Sequence, residues 1–365
     1  MTNKLRYIGL DVHKDTIVIA VAEQGTASAK FFKTIPYDLA RLVKEIRRLA
    51  GAGYVVVCYE AGPTGFGVQR ALEKAGFDCR VVAPSLIPVQ SGNRVKTDRR
   101  DAVKLAHFLR SGDLTAITIP DEEREALRDL ERSRDDAKKA ERVARSQLGK
   151  FLLRHDLRYD ATGAWTKKHL DWIRRLDVGP LQVVLDDYLK AVEDATERVE
   201  RLSTALEEQV LASSLAPLAK GLMTLRGVAM VTAATIAAEV GDFHRFPTAK
   251  QFMAFVGLTP SEDSSGGRVR RGGITKCGNR HVRRLLVEAA HHYRRKPGVS
   301  RDLRARQADQ PEVLQALSWK AQRRLHKRLT SLKARGKPYN QAIIATAREL
   351  AGFVWAIGRQ IPVTG

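Results

Sequence analysis

Hydrophobic and polar positions alternate with two different periods over residues 1–120. Short apolar segments with a period of two predict β-strands, and longer segments with apolar residues three and four apart predict helices. The predicted strands are residues 5–11, 16–22, 27–34, 54–60 and 79–82. The predicted helices are residues 38–50, 66–75 and 98–110. A meander of three strands, followed by alternating helices and strands, predicts an α/β domain.

The pattern changes over residues 121–212, where long charged helices carry apolar residues every seven positions. A second apolar set follows three residues after the first, as in the seam of a coiled coil. The two sets are Leu185, Val192, Val199 and Leu206, and Tyr188, Ala195 and Leu202. This seam predicts a coiled coil, either between two chains or as a helical hairpin with residues 122–153 of the same chain. The pattern alone leaves both arrangements open.

We predict a third, mostly helical domain over residues 213–300. A basic helical C-terminal segment is predicted over residues 301–365. A turn at Arg226-Gly227 between two helices is similar to a helix-hairpin-helix, although Ala229 stands where a second glycine is expected. A further helix and a loop rich in glycine and serine follow, over residues 249–256 and 261–273. Prolines divide the remaining helices near residues 297, 311 and 338.

The formal net charge of +22 separates this chain from ordinary globular proteins. Residues 266–337 hold 21 Lys or Arg against four acids, so most of the excess lies in one C-terminal fifth. Nucleic acid is the commonest partner of so basic a protein. A membrane surface is a poorer candidate, because no Trp- or Leu-faced amphipathic anchor accompanies the charge.

Cysteine usage and hydropathy favour a cytoplasmic protein. The three cysteines form no CxxC pair, which argues against a disulfide framework or a structural zinc site. The N-terminal residues lack the apolar core of a signal peptide, and no apolar run approaches the roughly 20 residues that span a bilayer. We expect the protein to associate with the nucleoid when it is active.

Four carboxylates end or begin elements of the predicted α/β domain. Asp11 ends the first strand, Glu60 ends the fourth, and Asp98 and Asp101 share one face at the start of a helix. If the first and fourth strands are neighbours, all four converge at one edge of the sheet. Clustered carboxylates repel one another, and hard divalent cations relieve that repulsion. This order resembles the ribonuclease-H-like fold in its Holliday-junction-resolvase (RuvC-like) branch.

Each acid also has a purely structural interpretation. Asp98 could be the N-cap of its helix, and Asp-x-x-Asp is similar to a capping box. A single Asp at a strand end is usually structural. The functional interpretation therefore depends on all four acids occurring together on this scaffold.

A glycine-rich basic stretch, residues 257–286, carries a second candidate group. Ser264 and Ser265 lie among cations that would lower the cost of a serine alkoxide attacking phosphorus, although such loops are more often simple binding loops. Glycines such as Gly266 and Gly267 would let the backbone approach a phosphate. The predicted nucleic-acid-binding residues are Arg268, Arg270, Arg271, Lys276, Arg280, Arg283 and Arg284. Their arrangement suits backbone phosphates rather than base edges.

Over nearly its whole length the chain resembles the DEDD transposases of bacterial insertion sequences, the bridge-RNA-guided serine recombinases. The matching motifs are YIGLDVHK, CYEAGPTG, KTDRRDA, LRGVAMVTA, FMAFVGLTP and GGITKCGNRHVRRLL. The resemblance implies that Asp11, Glu60, Asp98 and Asp101 bind Mg²⁺ and that Ser265 is the nucleophile. Ser264 precedes it directly, so one position of ambiguity remains.

The resemblance further implies cutting and rejoining of donor and target DNA through a covalent phosphoserine link. It implies a structured guide RNA and a homo-oligomer, a dimer that forms a tetramer in the active complex, with the acids of one subunit meeting the serine of another. Two alternatives remain. One is a metal-dependent, structure-selective nuclease of the Holliday-junction-resolvase type without serine chemistry. The other is a non-catalytic nucleic-acid-binding protein.

Overall fold

The chain divides into two compact units, Met1–Ile119 and Pro120–Gly365. The computed structural model describes residues 5–88, 97–265, 268 and 270–362. Gly266 and Gly267 of the predicted phosphate-binding loop lie outside the described residues.

The first unit is an α/β domain, as the sequence predicts. Its strands are β1 (Leu5–Val12), β2 (Thr16–Glu23), β3 (Lys30–Pro36), β4 (Tyr54–Glu60) and β5 (Asp78–Val82). Its helices are α1 (Leu39–Ala50), α2 (Gly67–Lys74) and α3 (Asp98–Ser111). The sheet order is β3-β2-β1-β4-β5. The meander β1–β3 is antiparallel, whereas β1, β4 and β5 run parallel, so the first and fourth strands are neighbours.

Helices cover both faces of this sheet. Ile8 and Leu10 of β1 are buried with Leu42 of α1 and Leu72 of α2 in one core. On the other face, α3 packs against β1 and β2. The contact at Gly9 is so close that a Cβ there would overlap the Ala102 carbonyl oxygen and the Ala106 amide nitrogen. Glycine therefore lets the helix backbone lie directly on the strand.

The second unit is mostly helical. Its helices are α4 (Glu122–Arg154), α5 (Lys167–Arg174), α6 (Gln182–Ala212), α7 (Ala216–Leu222), α8 (Met230–Val240), α9 (Ala249–Phe255), α10 (Arg280–Ala290), α11 (Arg301–Gln307), α12 (Glu312–Ala334) and α13 (Tyr339–Gly358). Two short strands, β6 (Pro260–Glu262) and β7 (Arg271–Ile274), form an antiparallel hairpin between α9 and α10. Pro311 and Pro338 immediately precede α12 and α13, which confirms the predicted helix breaks there.

The heptad seam of α6 packs against α4 of the same chain. Leu185 and Val192 are buried with Leu148 and Phe151 of α4, and further along Leu206 is buried with Leu127. The structure thus contains the intramolecular helical hairpin, one of the two arrangements that the sequence leaves open. The predicted dimer stays a prediction.

The segment predicted as a glycine- and serine-rich loop is instead the β6–β7 hairpin. Its base is closed by backbone hydrogen bonds from the Thr275 amide to the Thr259 carbonyl, 2.9 Å, and from the Lys276 amide to the Gly257 carbonyl, 3.2 Å. Nearer the turn, the Asp263 amide donates to the Arg270 carbonyl, 2.9 Å. Cross-strand pairing of this kind joins residues 7 to 19 positions apart, which local composition does not reveal.

Candidate active site

Asp11 lies at the end of β1 on the face that α3 covers. Alternate residues of a strand point to the same face, so Asp11 shares the face of Gly9, where α3 makes its close contact. Asp98 is the first residue of α3, and Asp101 lies in the same first turn. Asp11, Asp98 and His13 each offer one ligand atom, and these three atoms lie within 4.8 Å of one another. The packing of α3 on Gly9 thus brings two of the four predicted acids together.

His13 joins these two carboxylates, and it is not among the site residues predicted from the sequence. Its Nε2 atom lies 3.0 Å from Asp11 Oδ2 and 3.6 Å from Asp98 Oδ1. His13 follows Asp11 by two positions, so an extended chain turns both side chains to the same side. That spacing within the motif DVHK is the signal that could have identified it.

The helix-capping alternative for Asp98 does not describe this structure. The N-cap of α3 is Thr97, whose hydroxyl accepts a hydrogen bond from the Arg100 amide at 3.3 Å. Asp98 follows the cap, and its side chain is 62% exposed. Its carboxylate is therefore free of the capping role and accessible to a ligand.

The surroundings of Asp11 penalise its charged form. Burial raises the pKa of Asp11, and the nearby charges of Asp98 and Asp101 raise it further, although the hydrogen bond and charge of His13 act in the opposite direction. Asp101 is thus close enough to Asp11 for their charges to interact, while it lies outside the group of three ligand atoms. A divalent cation would relieve this repulsion.

Glu60 ends β4 and is exposed. By strand alternation it shares the face of Cys58, whose thiol contacts the Leu105 carbonyl of α3 at 3.7 Å. The β1–β4 register pairs Leu10 with Tyr59. The next residues along the two strands are Asp11 and Glu60, so Glu60 lies on the correct edge of the sheet but outside the group that Asp11, His13 and Asp98 form.

These donors fit a divalent cation. Carboxylate oxygens are the ligands that Mg²⁺ prefers, and an imidazole nitrogen next to them also suits the first-row divalent metals. Asp11 and Asp98 supply two such carboxylates with ligand atoms within 4.8 Å of each other, and among the described residues both form ion pairs with His13 rather than with Lys or Arg.

The two candidate serines have different surroundings in the hairpin. The Ser264 hydroxyl donates to Glu262 Oε1 at 3.0 Å and accepts from the Arg270 amide at 3.3 Å. Ser265 is exposed and pairs with Arg268 through the backbone, the Arg268 amide donating to its carbonyl at 3.3 Å. Among the described residues, no hydrogen bond engages the Ser265 hydroxyl. Ser264 therefore holds the hairpin together, whereas the Ser265 hydroxyl is available.

The predicted phosphate-binding cations divide into exposed and engaged side chains. Arg268, Arg270, Lys276 and Arg280 are exposed. Arg271 pairs with Glu262 at 3.3 Å. Arg283 and Arg284 form contacts within the folded protein. Arg283 donates to the carbonyls of Val256 and Cys277, at 2.9 and 3.5 Å, and Arg284 pairs with Asp135 at 2.8 Å and with Glu288 at 3.1 Å.

The helix-hairpin-helix-like turn between α7 and α8 packs inside the second unit. Val228 is fully buried, and the Arg306 guanidinium donates to its carbonyl at 2.5 Å. Arg226 donates to the carbonyls of Arg295 and Lys296, at 3.2 and 3.0 Å, and to that of Gly298. The side chains and carbonyls of this turn thus contact the protein itself.

Across the described ranges, none of the helices combines the length and apolarity needed to cross a bilayer.

Comparisons with known proteins identify the family of the chain. A family model described as Transposase IS116/IS110/IS902 family matches residues 219–304, and a model for DEDD transposases of the IS110 group matches residues 8–155. The chain is 41% identical over 358 residues to y4qE of Sinorhizobium fredii, itself named as a transposase, which covers 97% of this chain and 88% of the relative. It is 32% identical over 345 residues to the transposase of insertion sequence element IS1533 of Leptospira borgpetersenii, covering 91% and 97%.

Fold, acidic cluster and relatives together define a transposase, which is a DNA-processing enzyme. The chain belongs to the IS110/IS116 family of DEDD insertion-sequence transposases. The hypothesis of a non-catalytic nucleic-acid-binding protein is therefore wrong.

Proposed function

We propose that this transposase cuts and rejoins DNA by transesterification, with Ser265 as the nucleophile and Mg²⁺ held by Asp11, Glu60, Asp98 and Asp101. The observation that carries the proposal is the convergence of Asp11 and Asp98 where α3 packs on Gly9. The order β3-β2-β1-β4-β5, with only β2 antiparallel to its two neighbours, supports a ribonuclease-H-like (RuvC-like) fold for the first unit.

The proposed reaction conserves the number of phosphodiester bonds. The Ser265 oxygen attacks phosphorus and forms a phosphoserine ester, while the sugar oxygen of the DNA strand leaves and takes up the proton. A sugar hydroxyl of a second strand then displaces the serine oxygen, which recovers a proton. When bound, Mg²⁺ would supply Lewis-acid stabilisation of the charge that develops on the phosphoryl and sugar oxygens.

The protein's own residues prepare these steps. Ser264 bonds to Glu262 and to the Arg270 amide of the opposite strand, so Ser265 directly follows a position that is held across the hairpin. Arg268 and Arg270 are exposed cations three and five positions after Ser265, and they would favour the alkoxide and the phosphate charge. His13 orients the Asp11 carboxylate through its hydrogen bond.

We further propose that the DNA partners are a donor and a target, that a structured guide RNA pairs with both, and that the active complex is a tetramer built from two dimers. The charge of the second unit supports nucleic-acid binding. The guide RNA and the oligomer rest on the resemblance to bridge-RNA-guided recombinases.

Ser265→Ala tests the serine chemistry, with Ser264→Ala as the matched control. Incubating the full chain with insertion-sequence end DNA, guide RNA and Mg²⁺, then denaturing it, should reveal a covalent protein–DNA adduct that alkali releases. Ser265→Ala should lower adduct formation at least about 10³-fold. Ser264→Ala removes only hairpin hydrogen bonds and should lower it less than about tenfold.

The competing function is a metal-dependent, structure-selective nuclease. The assembly of Asp11, His13 and Asp98 within the first unit favours it, since these groups come together without the serine hairpin. Cleavage and joining that persist in Ser265→Ala but vanish in Asp11→Asn would establish the nuclease and remove serine from the mechanism.

A further inference from the structure

A polar cleft of about 440 Å³ lies in the second unit, and Ser265 is not among its lining residues. It is lined by residues of α4, by the last turn of α8 and by the residues that begin α10. The charged side chains around it are Arg128, Arg132, Lys139, Arg280, Asp136 and Glu239. Four cations and two acids leave a positive excess on a concave surface.

A buried carboxylate holds two of these cations in place. Glu239 has a side chain only 2% exposed, and it accepts hydrogen bonds from Arg132 at 3.0 and 3.2 Å and from Asn279 Nδ2 at 2.7 Å. Arg128 lies 3.6 Å from its other oxygen. The cations of this wall are therefore fixed by a buried network that joins α4, α8 and α10, which distinguishes them from loose surface arginines.

The other two cations of the cleft, Lys139 and Arg280, do not pair with Glu239. Lys139 pairs with Asp135 at 3.1 Å and with Asp136 at 2.8 Å. Arg280 is exposed, and within the described ranges it has neither an ion pair nor a side-chain hydrogen bond. Because the Arg280 guanidinium has no such partner and lines the same cleft as the other cations, an anion would bind there favourably. The planar guanidinium also suits the paired oxygens of a phosphate.

The cleft and the β6–β7 hairpin are both attached to the end of α9. The Asn279 amide donates to the Phe255 carbonyl at 2.9 Å, and the Lys276 amide at the hairpin base donates to the Gly257 carbonyl at 3.2 Å. Gly257 has a positive φ of 65°, and a Cβ there would overlap the Cys277 carbonyl oxygen. Both the hairpin base and the start of α10 are therefore fixed to the end of α9.

We propose that this cleft binds a phosphodiester group of the nucleic acid, distinct from the one that reacts. Arg280 and Arg132 contact the phosphate, and Glu239 is a positioning residue for Arg128 and Arg132. The proposal rests on the proposed function only in taking nucleic acid as the polymer. It does not depend on serine or metal chemistry.

Charge changes of opposite sign test the cleft. In the full chain carrying Ser265→Ala, with EDTA, fluorescence anisotropy would measure binding to a 30-base-pair duplex DNA and to an RNA hairpin. Arg280→Ala should weaken binding of at least one polymer about tenfold and reduce the slope of log K against log salt by about one. Asp136→Asn removes an acid from the cleft and should strengthen binding of the same polymer severalfold.

Matched controls lie at the far end of the α4–α6 hairpin, where Arg158 and Asp156 form an exposed pair at 2.8 Å. Arg158→Ala and Asp156→Asn change the net charge equally and should alter affinity less than twofold. The polymer whose affinity changes identifies the source of the phosphate. Cleft variants that behave like these controls with both polymers would overturn the proposal, whereas loss of the covalent adduct is a separate outcome that bears only on the serine mechanism.

Discussion

Gly9 is the residue on which the spacing of the acidic site depends. The α3 backbone contacts it directly, and Asp98 begins that helix. Any side chain at position 9 must displace α3 or distort β1. The sequence contains the glycine in the motif YIGLDVHK, but nothing local reveals that its partner is a helix about 95 residues later.

Gly9→Ala should destabilise the first unit by about 2 kcal/mol, because an added methyl group in a close backbone contact forces a shift. Amide hydrogen exchange over residues 98–111 would measure the effect, which should appear as faster exchange in α3. Gly62→Ala is the control, since its nearest heavy atom would lie 3.9 Å away. Equal protection of α3 in both variants would show that this contact does not set the helix position.

Residue types alone predicted the candidate site residues. They did not show which of these residues form structural hydrogen bonds and which do not. The ends of the predicted strand and helix identified Asp11 and Asp98, whereas His13 lies one residue beyond the end of β1, where the predicted strand periodicity no longer applies. Ser264 and Ser265 are indistinguishable by composition. Only the hydrogen bonds of Ser264 separate them, and these involve Glu262 and the Arg270 backbone across the hairpin.

At the scale of elements, the predictions for the first unit were close because each strand and helix has its own period. The heptad pattern of α6 was equally clear in the sequence. Its packing partner could not be predicted, because the same apolar face fits either another chain or α4. For Arg283 too, the sequence pattern did not identify the contact partner. Its position on a basic helix predicted phosphate binding, while its guanidinium contacts the carbonyls of Val256 and Cys277.

Glu239 joins three helices, and its charge should stabilise them at neutral pH. Burial raises its pKa, but Arg128, Arg132 and the hydrogen bond from Asn279 lower it more, so its net pKa is below the ordinary value of 4.5. A lowered pKa in the folded state means that the stabilisation is present above the unfolded pKa. It is lost as the pH falls through the folded pKa.

Glu239→Gln should therefore cost about 3 kcal/mol at neutral pH, the low end for a broken buried ion pair because Arg132 is 43% exposed. Urea unfolding followed by tryptophan fluorescence would measure it, since all four tryptophans lie between residues 165 and 355. The difference from wild type should shrink below pH 4.5.

Glu131→Gln is the control for that experiment. Glu131 is also buried, on α4, but burial raises its pKa, with Thr235 acting against that shift. Its charged form is penalised, so the variant should be neutral or stabilising at neutral pH. Equal losses from the two variants would argue against the ion-pair explanation.

At the scale of the whole molecule, the two units carry nearly the same net positive charge per residue, +7 over 119 residues and +15 over 246. Residues 1–119 hold 18 Lys or Arg against 11 acids, and residues 120–365 hold 45 against 30. Composition therefore predicted nucleic-acid affinity correctly for a transposase, but it could not separate binding cations from those that form ion pairs within the fold.

Binding of duplex DNA by the full chain should weaken by about 10³-fold between 50 and 200 mM salt, as expected when six or more phosphates are contacted. Anisotropy with labelled duplex DNA would measure it. A peptide nucleic acid duplex of the same sequence lacks phosphates and should bind poorly at both salt concentrations. A loss of less than tenfold for DNA would contradict a phosphate-dominated interface.

The closed base of the β6–β7 hairpin has a consequence for variation within the family. Thr259 and Thr275 join its two strands next to the helical core, whereas the serines lie on the exposed outer part. Lengthening or shortening the outer part would change how far Ser265, the proposed nucleophile, extends, and the core would keep its packing. Relatives could thus differ in reach at this position, and grafted hairpins of other lengths should leave the thermal stability of the transposase unchanged.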